Sequence, residues 1–293
     1  MTLDSSSKPD VTTFFDSGSC TFSHIVVDPD SQCCAIVDPV LDYAPASGRT
    51  SYVGADRLID FVRNKGLRLQ WILETHAHAD HLTAAAHLKR ILGGRHAIGE
   101  SITVVQKTFG HLFNAEAEFA TDGRQFDQLF RDDEQFSIGK LSARAIHTPG
   151  HTPACVTYLI GNAAFVGDTI FMPDLGTGRC DFPGGDARTL YRSIRKILAL
   201  PESTRIFLCH DYKSPGRDEY RHESTVAEER SHNIHVHDGV TEDDFVALRT
   251  AKDASLSVPN LILPSLQVNI RAGAFPPAEA NGTRYLKIPL DVL

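Results

Sequence analysis

Hydrophobic and polar positions along the chain fall into two kinds of run. Residues 11–15, 22–27 and 34–37 are β-branched or aromatic runs. They are broken by Asp-Ser-Gly and Asp-Pro-Asp turns, so they read as strands. Residues 55–65 place Leu58, Ile59, Phe61 and Val62 at helical spacing and stop near Gly66. Residues 69–74 form a strand of the buried type. From Leu82 through Ala85, Leu88 and Leu92 the period is again helical, until Gly93-Gly94 ends it. A helix is expected at 102–113, a hairpin at 134–147, and paired strands at 156–160 and 163–166 across Gly161-Asn162. A helix over 187–200 ends before Pro201, and a short strand follows at 206–209. Helices are expected around 223–232 and 241–251, and the Pro-rich tail 257–293 reads as irregular. The β-rich block with helices recurs roughly twice, which suggests two sheets with helices outside.

Composition narrows the class. The chain has 293 residues, 42% hydrophobic, with 29 basic against 37 acidic side chains and a formal charge of −8. That is globular composition, with length enough for a sizeable core. The acidic balance argues against nucleic acid and anionic membranes as partners. No apolar stretch is long enough to span a bilayer. The start, MTLDSSSKPD, lacks the features of a secretory signal, and the six cysteines form no CxxC pair. A cytoplasmic location is the expectation. The 14 histidines then direct attention to metal or acid–base chemistry.

The densest signal is Thr75-His76-Ala77-His78-Ala79-Asp80-His81, between the 69–74 strand and a helix. His76 and His78 lie at i and i+2, so in extended backbone they point the same way. Four ligand-type side chains in six residues are costly unless something binds them. Three further candidates repeat the arrangement: His151 in a Pro-Gly-His turn, Asp168 after the 163–166 strand, and His210 after the 206–209 strand. Each alone is an ordinary turn or cap residue. Together they gather at strand ends, where layered α/β folds build their sites. Imidazoles and carboxylates without thiolates suit Zn, Fe or Mn.

At these residues the chain resembles the metallo-β-lactamase superfamily: HxHxDH at 76–81, GH at 150–151, GD at 167–168 and His210. The resemblance covers roughly residues 11–235. It implies an α+β fold, the αββα four-layer sandwich, with a metal site at one edge of the sheets. One domain over 1–293 is expected, with 236–293 packed on it as an extension. A closer resemblance is to persulfide dioxygenases. It rests on 175–193 (GRCDF…GD…LYRS), His210-Asp211-Tyr212, the TVAEER stretch at 225–230 and PSLQVNIR at 264–271. The chain departs from shorter members by extra residues around 95–130 and 235–260.

That resemblance implies one Fe(II) per chain on His76, His151 and Asp168, a 2-His-1-carboxylate set that leaves positions open for substrate and O₂. His78, Asp80, His81 and His210 would then either orient ligands or form a second metal position. The implied reaction oxidises glutathione persulfide with O₂ to sulfite and glutathione. Arg179 is the candidate for a substrate carboxylate, and Tyr212 for substrate or oxygen. A structural Arg179–Asp181 pair and a packed Tyr212 are the bland counterparts. A thioester hydrolase of the glyoxalase II type, with two metals on all seven ligands, is the first rival. The want of a helical C-terminal region counts against it. A non-enzymatic sulfur-sensing module is the second. Cys33, Cys34 and Cys180 read as packing, and His222, His232, His235 and His237 as solvated loop residues. A homodimer is among the assemblies the sequence permits.

Overall fold

The computed structural model describes residues 8–292. Residues 1–7 and 293 of the expected 1–293 domain, and most of the stretch read for a signal, lie outside the described residues. In chain order the elements are β1 (Asp10–Asp16), β2 (Thr21–Asp28), β3 (Cys33–Val37), β4 (Val40–Ala44), β5 (Arg49–Ser51), α1 (Val53–Asn64), β6 (Arg68–Leu73), β7 (Leu82–Thr83), α2 (Ala85–Leu92), β8 (Arg95–Gly99) and α3 (Ile102–Leu112). Then come β9 (Gln128–Phe130), β10 (Glu134–Ile138), β11 (Leu141–His147), β12 (Val156–Ile160), β13 (Ala163–Phe165), α4 (Ala187–Leu198), β14 (Arg205–Phe207), β15 (Glu223–Thr225), α5 (Val226–His232), α6 (Glu242–Asp253) and α7 (Ile262–Asn269).

Two six-stranded sheets face each other. One runs β1-β2-β3-β6-β8-β9 and the other β10-β11-β12-β13-β14-β15. Strands β2, β3 and β12 are buried along their whole length, as strands covered on both faces must be. Between the sheets lie Val26, Val37, Trp71, Leu73, Phe130, Tyr158, Phe165 and Phe207. Helices α1 and α2 cover the outer face of the first sheet, and α4 covers the second. These are the four layers, αββα. Helix α1 packs through Ala55, Leu58, Ile59 and Val62, one stripe at helical spacing. Among the described residues no helix is long and apolar enough to cross a membrane.

Several local readings change. Leu82 and Thr83 pair with Leu41 and Val40 as a strand, so sheet pairing overrides the helical period there and α2 starts at Ala85. Likewise 223–225 pairs with β14 before α5 begins. The short strands β4, β5, β8 and β9 carry weak local patterns, and their pairing defines them. The tail is not wholly irregular, because it holds α7. Pro264 sits in the first turn of α7, where a missing N–H leaves no bond unmade.

Buried His24 lies against Phe165 and Phe207 between the sheets. Its Nε2 donates to the Leu208 carbonyl at 3.0 Å, and its Nδ1 accepts from Thr13 Oγ1 at 3.0 Å. Burial holds this imidazole down to about 4. An unfolded histidine takes its proton near the ordinary 6.5, so the unfolded chain binds more protons between the two values. The stability is intact above 6.5 and falls, by about 3 kcal/mol at most, as pH drops toward 4. Urea unfolding from pH 7 to 4 should therefore show a falling midpoint, and His24→Gln should flatten that slope by about one proton. Parallel curves would show that His24 does not titrate in this way.

Candidate metal centre

The candidate ligands come from four strand ends. His76, His78, Asp80 and His81 follow β6, His151 lies in the turn before β12, Asp168 follows β13 and His210 follows β14. Two motif glycines make this approach feasible. Gly167 has φ +53° and its absent Cβ would lie 2.6 Å from Thr75 Oγ1. Gly150 has φ +136° and would put a Cβ 2.3 Å from the Leu190 backbone. A side chain at either position would push its neighbouring ligand out of place.

His76, His151 and Asp168 offer ligand atoms that lie within 4.8 Å of one another. His78, Asp80 and His81 do the same beside them. His210 Nε2 stands 3.3 Å from Asp168 Oδ1 and 3.4 Å from Asp80 Oδ2. All seven expected residues are thus brought together. Asp80 is partly exposed, while the other six are buried.

Each imidazole is held by one nitrogen, and in all but His151, whose Nε2 faces Asp168 Oδ2 at 3.6 Å, the other is bare. His76 Nδ1 donates to Thr75 Oγ1 at 3.0 Å. That hydroxyl donates in turn to Asp38 Oδ2 at 2.8 Å, so its oxygen is free to accept from His76. His78 Nε2 donates to Asp38 Oδ1 at 3.0 Å. His81 Nδ1 donates to the Leu82 carbonyl at 3.1 Å, and His151 Nδ1 to the Arg179 carbonyl at 2.6 Å. His210 Nδ1 faces the Cys20 carbonyl at 3.3 Å. The other atoms, His76 Nε2, His78 Nδ1, His81 Nε2, His210 Nε2 and Asp168 Oδ1, are buried without a hydrogen-bond partner. One such orphan costs about 1–3 kcal/mol. Five of them, shared between the His76–His151–Asp168 group and the neighbouring donors, fit a site built for metal.

The charge states fit this for His76 and His81, whereas His78 keeps its proton beside Asp38. Burial, then the neighbouring His78, His151, His210 and His81, push His76 well below its ordinary value. Burial likewise lowers His81. Both are neutral at pH 7, the form that binds metal. For His78, burial acts downward, but the Asp38 carboxylate outweighs it and raises the group to about 9. Burial works against the Asp80 carboxylate too, but the imidazoles, His210 first, hold it down to about 2.

A model of the metallo-beta-lactamase superfamily matches residues 21–210. The chain belongs to this superfamily. It is 57% identical to a probable metallo-hydrolase of Burkholderia pseudomallei, over 96% of this chain and 98% of that one. It is 30% identical to the human persulfide dioxygenase ETHE1, over 90% and 88% of the two chains. Among solved structures it is similar to ETHE1 from Myxococcus xanthus, with a TM-score of 0.71 and 27% identity over 90% of this chain and all of that one. The superfamily's metal-binding character and the orphaned donors agree: this is a metal centre.

Three supports were invisible to sequence reading. Asp38 carries both His76, through Thr75, and His78. Glu74, buried beneath the loop, accepts from Thr83 Oγ1 at 2.5 Å. His235, expected in a solvated loop, is buried, with its Nδ1 accepting from the Thr177 N–H at 3.1 Å. Asp38 and His235 have no spacing signal, since each acts as a single residue across a long sequence separation, and Glu74 reads only as the end of its strand.

The Thr75 relay predicts a specific weakness. Thr75→Val keeps the shape but leaves His76 Nδ1 unheld. Metal affinity should fall about tenfold or more, as for other residues that orient ligands, in competition with a chromophoric chelator. Unchanged affinity would show that the relay does not orient His76.

Proposed function

We propose that the chain is an iron-dependent persulfide dioxygenase. It would take glutathione persulfide, O₂ and water to glutathione, sulfite and two protons. The observation that carries this reading is the grouping of His76 with His151 and Asp168, the last two of which line a cavity of about 470 Å³. A 2-His-1-carboxylate face leaves coordination positions free for two reactants. Similarity to persulfide dioxygenases along 90% of the chain supports it. Iron held there supplies the one-electron redox chemistry that lets O₂ react with a closed-shell sulfur compound.

The chain's own residues then bind and orient. Phe171, Leu175, Phe182, Leu256 and Leu261 give the cavity apolar walls, which limit water around the sulfur. Tyr212 lines it, with its ring stacked on His210 at 5.6 Å. Arg179 also lines it, but its guanidinium is engaged by Asp181 at 2.6 Å through both oxygens and by the Ser257 carbonyl at 2.7 Å. Arg249 is paired with Asp253 at 2.6 Å. Lys252 is the cavity cation without a carboxylate partner among the described residues; its neighbour is His235 Nε2 at 3.2 Å. In this reading Lys252 takes the carboxylate of the glutathione moiety. Arg179 acts chiefly through its carbonyl, which fixes His151. Cys20 also lines the cavity, but burial and the acidic groups around it raise its thiol, so no cysteine nucleophile is assigned.

A second reading, a two-metal thioester hydrolase, is favoured by the bare nitrogens of His78, His81 and His210. The hydrolase name of the Burkholderia relative points the same way. Helix α6 and the stretch after it also line the cavity, so the argument from a missing helical C-terminal region falls away. Metal counting separates the two. One iron per chain with oxygen uptake on glutathione persulfide supports the dioxygenase; two zinc ions with thioester turnover supports the rival.

Alanine at His76, His151 or Asp168 should abolish iron retention, measured by metal analysis. Full occupancy in any one variant would remove that residue from the ligand set. Lys252→Ala should raise KM for glutathione persulfide about fivefold with kcat nearly unchanged, the size of a single solvent-accessible charge contact. An unchanged KM would leave the carboxylate to another group.

A further inference from the structure

The family match ends at residue 210, yet one side chain far beyond it is built into the metal loop. Asn269, the last residue of α7, is buried. Its Nδ2 donates to the His78 carbonyl at 2.8 Å and to the His81 carbonyl at 2.8 Å. Its Oδ1 accepts from the Thr83 N–H at 2.9 Å. The amide orientation is fixed by its partners, two acceptors on one side and one donor on the other. All three of its side-chain hydrogen bonds go to one six-residue stretch of backbone, and that stretch carries His78, Asp80 and His81.

The helix that presents Asn269 is itself anchored. Leu266 and Ile270 pack in one apolar cluster with Ala77 and Ala79, the spacers between the ligands. Gln106 Nε2 donates to the Ile270 carbonyl at 2.9 Å. Arg271 pairs with Glu116 at 2.5 and 2.8 Å. The side chain therefore arrives on a rigid support, which a positioning group requires.

We propose that Asn269 is a positioning residue of the metal centre: its carboxamide clamps the backbone at His78 and His81 and so sets the spacing of the imidazoles around the cation. It touches no reacting atom. The inference goes beyond the assigned reaction, since the clamp acts on the backbone of the HxHxDH loop, which carries His76 as well as His78 and His81.

Co(II) binding to the metal-free full chain tests it, with no turnover needed. Asn269→Asp keeps the shape and the acceptor to Thr83 but faces two carbonyls with a carboxylate oxygen. Its Co(II) dissociation constant should rise about 10- to 100-fold, and the visible Co(II) bands should shift. Gln267→Ala is the control. Gln267 joins α7 to the backbone at Lys287 at 2.9 Å and touches no ligand. It should lower the unfolding midpoint of the metal-free protein while leaving the Co(II) constant and spectrum as in the wild type. If Asn269→Asp does not fold, Asn269→Ser is measured with the same expectation. Wild-type affinity and spectrum in the Asn269 variant would overturn the proposal. So would an equal loss in Gln267→Ala, since helix docking alone would then account for it. Failure of persulfide oxidation would leave these outcomes unaffected.

Discussion

One buried carboxylate holds the ligand loop in place. Asp38 lies directly after β3 with φ +48°, a left-handed conformation that Asp tolerates better than most residues. It accepts from the Thr75 N–H at 2.7 Å, from the Thr75 hydroxyl and from His78. Those bonds, with the His78 charge, hold it below the usual carboxylate range despite burial. A buried charge is tolerable only with such a complement of partners. The arrangement is therefore mutual: the loop neutralises the carboxylate, and the carboxylate orients the loop.

The sheets serve this site by bringing separate strand ends together. The β2 end is tied to the second sheet by the Phe22 N–H donating to the Cys209 carbonyl at 2.7 Å. The Val156 N–H donates to the Thr75 carbonyl at 2.8 Å, which joins the His151 turn to the ligand loop. Because both links are backbone bonds in buried surroundings, the spacing of His210 and His151 from the loop is set by the fold rather than by flexible side chains.

Legibility in the sequence followed locality. HxHxDH could be read because four donors crowd one short stretch. His151, Asp168 and His210 became readable once their strand ends were considered together. The layers followed from the alternation of runs, and they hold. Asp38 and Asn269 could not be read, because each is one ordinary polar residue whose partners lie far away in the chain. Helix α7 was hidden by Pro264, which breaks a pattern without breaking a first turn. For Arg179 both its place beside the site and its pairing with Asp181, two residues on, were legible; its bond to the distant Ser257 carbonyl was not.

The span of the centre also fixes when it can exist. Thr21 meets His210 across the sheets, and Asp38 meets His78, so the binding set is dispersed over most of the polypeptide. A ribosome that has released only the first sheet has released HxHxDH without Asp168 or His210. Such a nascent chain exposes a strong but incomplete chelating loop. Asp168 and His210 join it only after the second sheet closes, so the full donor set exists only in the finished fold.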